Sequence, residues 1–345
     1  LKLTEEDYNK HGMAQLAVEQ GPVYSINIDI FNKIQHTITG WPGGKPNASD
    51  SERPERAEPA LKRSIIFSPH PDDDVISMGG TLIRLVDQGH DVHVAYQTSG
   101  NTAVWDDDVL RYLEFAIDFN KNINEDNTTL QRIYEESRRF LETKQPNQLD
   151  TEDVKNVKGF IRKSEAISGA RYAGLTDDHI HFMALPFYET GKTKKNSVTD
   201  KDIELTMILL QKVKPQQIFT AGDFSDPHGT HIVCFKIILE ALKRLKLTEN
   251  WVDDCWLWMY RGAWNEFEIH EIEMAVPLSP QEVIRKRMAI FKHQSQKDVP
   301  VFPGDDSREF WVRAEDRNRD TARGYDRLGL AEYEAMEAFV RWKFN

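Results

Sequence analysis

From Lys62 onward, short apolar runs alternate with longer segments whose apolar residues recur at helical spacing. That alternation predicts an α/β domain built on a mostly parallel sheet with helices on both faces. Strands are expected over residues 64–68, 91–97, 179–184, 216–221 and 255–261. After the first of these, Ile76, Gly79, Ile83 and Val86 mark a helix over 75–88, and Gly89 suits its C-terminal stop. Residues 104–155 read as a charged, mostly helical insertion placed to cap a site, and 186–200 as a loop rich in Lys, Thr and Asn. The aromatic stretches Trp256-Leu257-Trp258-Met259-Tyr260 and Phe310-Trp311-Val312 read as core strands, and residues 328–342 as a C-terminal amphipathic helix.

The opening section has a different texture. Residues 1–35 carry some helical patterning, whereas Gly40-Trp41-Pro42-Gly43-Gly44-Lys45-Pro46 and the polar run to Pro59 read as a linker laid over a surface. The expected organisation is therefore an N-terminal extension over 1–60 and one large domain over 61–345.

Two polar clusters fall at the carboxyl ends of predicted strands, the edge where open α/β sheets bind ligands. In the first, Ile65-Ile66-Phe67-Ser68 delivers Pro69-His70-Pro71-Asp72-Asp73-Asp74 to a helix N-terminus. Ordinary capping accounts for an acidic first turn. His70 adds a ligand type that capping does not need: an imidazole and the Asp73 carboxylate, three residues apart, form the mixed N/O environment that zinc accepts. Asp72 and Asp74 remain, one of them free for proton transfer. In the second cluster, Gln217-Ile218-Phe219-Thr220 leads to Asp223-Phe224-Ser225-Asp226-Pro227-His228-Gly229-Thr230-His231, followed by a helix over 232–245. A pair of hydrogen-bonded surface histidines would look the same. Catalytic zinc needs about three protein ligands and an open position, which the two clusters together supply.

Together these motifs resemble the PIG-L/LmbE family of zinc-dependent N-deacetylases, which act on molecules containing N-acetylglucosamine. His70-Pro71-Asp72-Asp73-Asp74 is similar to the family's first motif, with Asp74 where Glu is commoner, and His228-Gly229-Thr230-His231 is similar to its His-x-x-His. Arg162-Lys163-Ser164-Glu165-Ala166 and Arg287-Met288-Ala289 with His293-Gln294-Ser295-Gln296 follow in the family's order, so the resemblance spans about 62–300.

The resemblance implies a Rossmann-like, LmbE-like fold and zinc held by His70, Asp73 and His231, with ferrous iron as the alternative ion. It further implies Asp72 as general base, His228 as the group that stabilises developing charge, and Arg162 with Glu165 near the sugar, although an intrahelical ion pair explains their spacing equally well. His293 and Asp74 are expected as supporting residues. Two departures stand out. Gly229-Thr230 replaces the Pro-Asp that relatives carry between the histidines, so Asp226 or Asp223 is expected to hold the His228 charge. Phe187-Tyr188 follows Pro186 where relatives often place Asp, which suggests an altered substrate pocket.

With 44 basic and 56 acidic residues the formal charge is −12, which argues against nucleic acid or an anionic membrane as partner. No apolar run approaches the ~20 residues that cross a bilayer. Two cysteines, Cys234 and Cys255, form no disulfide framework and fit a reducing cytoplasm, and Cys234 reads as a core residue. The chain opens on Leu1, and its Trp41-Pro42-Gly43-Gly44 section resembles the junction of bacterial proteins in which a glucosamine-6-phosphate deaminase-like domain precedes a PIG-L-type domain. The pattern sets no oligomeric state. The expected activity is deacetylation of a small N-acetylated amino sugar, free or phosphorylated. The contrasting expectations are a sugar-binding or scaffolding domain without turnover, which has no need of Asp72, and a phosphoester hydrolase, which would need ligands for two metals.

Overall fold

The structure, a computed structural model, describes residues 3–48, 61–146, 148–190, 195–224, 229–262, 265–297, 301 and 306–343. Three N-terminal helices come first, α1 (Glu5–Lys10), α2 (Ala14–Gln20) and α3 (Val23–Thr37). Then follow β1 (Arg63–Ser68), α4 (Asp73–Asp87), β2 (Asp91–Tyr96), α5 (Asp106–Asn122), α6 (Thr128–Thr143), α7 (Glu152–Tyr172), β3 (Ile180–Phe182) and α8 (Asp200–Val213). The remaining elements are β4 (Gln217–Ala221), α9 (Thr230–Leu245), β5 (Trp256–Tyr260), β6 (Met274–Leu278), α10 (Pro280–Ile290), α11 (Phe310–Arg327) and β7 (Ala335–Trp342).

Ile65, Ile66 and Phe67 are wholly buried because β1 lies inside the sheet, covered on both faces, where parallel strands become continuous apolar runs. Strand order is β3-β2-β1-β4-β5-β7-β6, with β3 to β5 parallel and β7 antiparallel to both its neighbours. The chain winds outward from β1 through β2 to β3, then crosses back to β4 on the other side of β1. This switch leaves the loops after β1 and β4 side by side, since Ile66 pairs with Phe219 and both strands run the same way. One core packs the sheet against α4, α7, α10 and α11, the other against α8 and α9. The Rossmann-like, mostly parallel arrangement expected from the motifs is thus the one observed.

Helix α4 is broken at Met78, whose φ of −138° is not helical. Glu337 of β7 takes up the freed donors, accepting from Gly80 N at 3.0 Å and Thr81 N at 2.6 Å, and the buried Lys286 ammonium lies 2.7 Å from the same carboxylate.

Several expectations need correction. Residues 335–342 form strand β7, not part of a helix: Gly329, at φ +87°, lies just past α11, and the chain re-enters the sheet between β5 and β6. Its first five residues are all buried, which hides strand alternation. Phe310-Trp311-Val312 opens helix α11 and is no strand. Strand β6 went unpredicted; it carries Pro277 and lies at the sheet edge, where proline is tolerated.

The N-terminal section docks on the domain. Thr39 N donates to Ala275 O at 2.9 Å, Lys62 Nζ to Gly43 O at 2.8 Å and Gln217 Nε2 to Pro42 O at 2.9 Å. A Cβ on Gly43 would fall 2.2 Å from His90 Nε2, so only glycine lets this segment seat so closely. In the insertion, Val109 and Leu113 of α5 pack with α6 and with Val154 of α7, while the Asp106 carboxylate meets Lys144 and Lys158. Asp106, Asp107 and Asp108 form the first turn of α5, where acidic residues complement the helix N-terminus. No helix among the described residues is long and apolar enough to cross a membrane.

Candidate active site

His70 stands just past β1, Asp73 opens α4 and His231 is the second residue of α9. Gly229, at φ +64°, caps α9 in a conformation that suits glycine and turns His231 back toward β1. The Asp73 Oδ2 atom lies between the two rings, 3.1 Å from His70 Nδ1 and 3.3 Å from His231 Nε2, and also accepts from His70 N at 2.8 Å. One ligand atom from each residue lies within 4.8 Å of the others, and the ring centroids are 5.3 Å apart. Burial pushes the Asp73 carboxyl up, yet His231 and His70 outweigh it and hold the group well below the usual carboxylate range. Two imidazoles and one carboxylate converging on a point form a donor set that fits a divalent ion of the zinc class.

Asp72, next in line, is also buried, and its Oδ1 lies 3.1 Å from Arg162 Nη2. Burial raises its pKa and Arg162 opposes that rise. Arg162 is among the most deeply buried side chains, and its Nε and Nη1 have no hydrogen-bond partner among the described residues. Gly100, at φ +63°, makes room for it: a Cβ there would sit 2.8 Å from Pro71 Cδ and 3.1 Å from Arg162 Nε.

The other predicted residues are placed differently from one another. Glu165 lies a helical turn from Arg162, but both its oxygens are engaged by Ser295, through N at 2.8 Å and Oγ at 2.7 Å, so it anchors the turn that carries His293. Burial raises the Glu165 pKa. His293 is buried behind Asp72, and burial together with Arg162 pushes its imidazole down to about 3. Asp74 points into the core, where Tyr96 Oη donates to it at 3.0 Å and Ser68 Oγ lies 3.2 Å away. Burial lifts its carboxyl to about 7. Phe187 packs in the core with α8 and α9, whereas Tyr188 meets the His70 ring edge-on at 6.0 Å and shares a 2.9 Å hydrogen bond with Thr102. His228 and Asp226 lie outside the described residues. Tyr96 and Gly100, absent from the sequence reading, are visible only once β2 and α7 are seen to flank the His70 turn.

Residues 65–242 match the PIG-L family, described as GlcNAc-PI de-N-acetylase. The chain belongs to this family. It is 54% identical over 344 residues to a glucosamine-6-phosphate deaminase-like protein of Bacteroides thetaiotaomicron, a match that covers 99% of this chain and 52% of the relative. The chain thus spans about half the length of that curated relative. Among solved structures it is similar to 4-carboxy-2-hydroxymuconate hydratase GalB of Pseudomonas putida KT2440, with TM-score 0.50 and 12% identity over 83% of this chain and 98% of that one. It is also similar to N,N′-diacetylchitobiose deacetylase of Pyrococcus horikoshii, with TM-score 0.49 and 19% identity over 82% and 84%. At 12% identity the likeness to the hydratase is one of fold, and a fold alone does not choose a reaction.

Proposed function

We propose that this PIG-L family chain is a metal-dependent N-deacetylase that hydrolyses the acetamide of an N-acetylglucosamine-type sugar, free, phosphorylated or conjugated, to acetate and free amine. The observation that carries the proposal is the convergence of His70, Asp73 and His231 beside a buried, Arg162-held Asp72. Zinc is the proposed ion and ferrous iron the alternative. A divalent ion held by those three residues supplies Lewis acidity and makes water a stronger acid.

In this reading Asp72 takes the proton of the attacking water as the amide carbon becomes tetrahedral. Arg162 engages Asp72 Oδ1, so Oδ2 is the accepting atom and the carboxylate is held in one orientation. His228, assigned by its motif, donates to the developing oxyanion, a contribution typically worth about 100-fold or more in rate. The departing nitrogen receives its proton from Asp72 or His228.

Beside Pro71, a cavity of about 310 Å³ is lined by Thr98, Phe160, Lys163, Phe182 and Glu189. Aromatic, basic and acidic groups together suit a sugar ring and an anionic substituent. Arg162 Nε and Nη1, which have no partner among the described residues, also favour a substrate oxygen nearby, since buried guanidinium donors rarely go unmatched. The name of the Bacteroides relative supports an amino-sugar phosphate as one substrate to try, and an upstream deaminase-like domain as a fused partner.

Acetate release from a panel of N-acetylglucosamine derivatives tests the proposal, comparing native, chelator-treated and Asp72→Ala protein. Acetate is expected only from the native sample. Equal release from all three would refute the mechanism, and activity confined to phosphoesters would replace it.

A further inference from the structure

A second group of metal-capable side chains lies at the opposite end of the sheet. Asp91 opens β2, His93 follows two residues later, and His179 closes the short turn before β3. Val94 pairs with Ile180 and Ala95 with His181, so His93 falls beside His179. Alternation then places Asp91, His93, His179 and His181 on one face of the sheet. The catalytic cluster sits past the other end of these strands. Five residue steps along β2, at about 3.3 Å each, separate the two ends by ~17 Å.

Asp91 Oδ1 is 3.0 Å from His179 Nε2 and 3.3 Å from His93 Nε2, the imidazole centroids are 4.5 Å apart, and one ligand atom of each residue lies within 4.8 Å of the others. The far sides of both rings are already engaged. Thr176 Oγ donates to Asp178 at 2.5 Å, so its remaining capacity toward His179 Nδ1, at 2.8 Å, is to accept. In the neutral ring that contact puts the His179 proton on Nδ1, and the Nε2 facing Asp91 then carries a lone pair. His93 Nδ1 likewise faces His181 Nε2 at 3.0 Å, a bond that frees His93 Nε2 when Nδ1 donates. With both rings neutral, three electron-rich atoms point at one another, an arrangement that a cation among them, metal ion or proton, would relieve. Imidazoles that ligate through one nitrogen while the other donates to a neighbour are the usual outer shell of a metal site.

We propose that Asp91, His93 and His179 form a second divalent-cation site, of the zinc class, with His181 and Thr176 orienting the two rings. The side chain of Asp91 is 46% exposed and that of His179 29%, so water can complete the coordination. The charge of Lys212 opposes the ion and tempers its affinity. Bound there, the ion clips the turn before the three-residue edge strand β3 to its neighbour β2. Zinc suits two imidazoles and a carboxylate, and copper or nickel would compete for the same donors.

The test is a zinc titration of the metal-stripped full chain by equilibrium dialysis, with circular dichroism to check folding. Asp91→Asn and His179→Asn change half-exposed side chains and are expected to remain folded. Each is expected to bind one zinc fewer than its parent, both in the native background and in His231→Ala, and to lose the zinc-induced rise in melting temperature assigned to this site. If both variants bind as much zinc as their parents in either background, the cluster holds a proton rather than a metal and the proposal is overturned.

Discussion

The buried pair of Asp72 and Arg162 makes the most quantitative prediction. At 3.1 Å and an effective dielectric of about 20, two unit charges attract by ~5 kcal/mol, an upper figure because relaxation and water reduce it. Removing one member of a buried pair usually costs about 3–5 kcal/mol, since the other is left charged without a partner. Asp72→Asn strands a guanidinium whose Nε and Nη1 already have no partner among the described residues, and Arg162→Met strands a carboxylate. The double variant strands neither. Unfolding entropy of about 2.1 cal/mol/K per residue makes ~3 kcal/mol equivalent to a ~4 °C fall in melting temperature for a chain of this length. Each single variant is therefore expected to melt ~4–7 °C lower, whereas the double variant recovers a coupling of about 2–4 kcal/mol. Turnover behaves otherwise. It is expected to fall at least ~100-fold in Asp72→Asn and to stay low in the double variant, because the proposed base is still absent. Thermal melts and acetate release on the four proteins settle the matter. Additive melting shifts, or activity restored together with stability, would refute the assignment.

Three further outcomes follow from the same geometry. Glu337→Ala removes the acceptor for Gly80 N and Thr81 N and leaves Lys286 buried without its counter-charge, so a fall of ~4–7 °C in melting temperature is expected, and a change under ~1 °C would contradict it. Burial and Lys62 push His90 down to about 4, from an ordinary value near 6.5. The unfolded chain then binds the proton more readily across that window, so this contribution to stability is complete above about pH 6.5 and is lost as pH falls toward 4. His90→Gln should flatten that limb of a plot of melting temperature against pH, and an unaltered limb would show that other groups cause it. Gly100→Ala forces a Cβ against Pro71 and Arg162 at positive φ, so it should lower both stability and kcat; wild-type kinetics would show that the Gly100 approach does not position Arg162.

The two motifs that carry the candidate ligands were readable because each is local: a buried strand, a polar turn and a helix start occur within about a dozen residues. Their convergence was readable too, given that both turns fall at strand carboxyl ends. The far side of the sheet was not. β7 lies between β5 and β6 with its first five residues buried, so the alternation that marks a half-exposed strand is missing, and Pro277 disguises β6. Glu165 illustrates a subtler limit. Its spacing from Arg162 suggests either an ion pair or a substrate contact, whereas its carboxylate is taken by Ser295, 130 residues later. Asp91, His93 and His179 meet only through β2–β3 pairing across the whole helical insertion, which no local pattern announces.

The central claim is that one cation is held jointly by the turns after β1 and β4. Anomalous diffraction at the zinc edge from a zinc-equilibrated crystal tests it most directly. A peak within bonding distance of His70, Asp73 and His231, abolished in His231→Ala, is the predicted result. Zinc bound in the crystal but absent from that point, with the His70 and His231 rings facing away from each other, would contradict it.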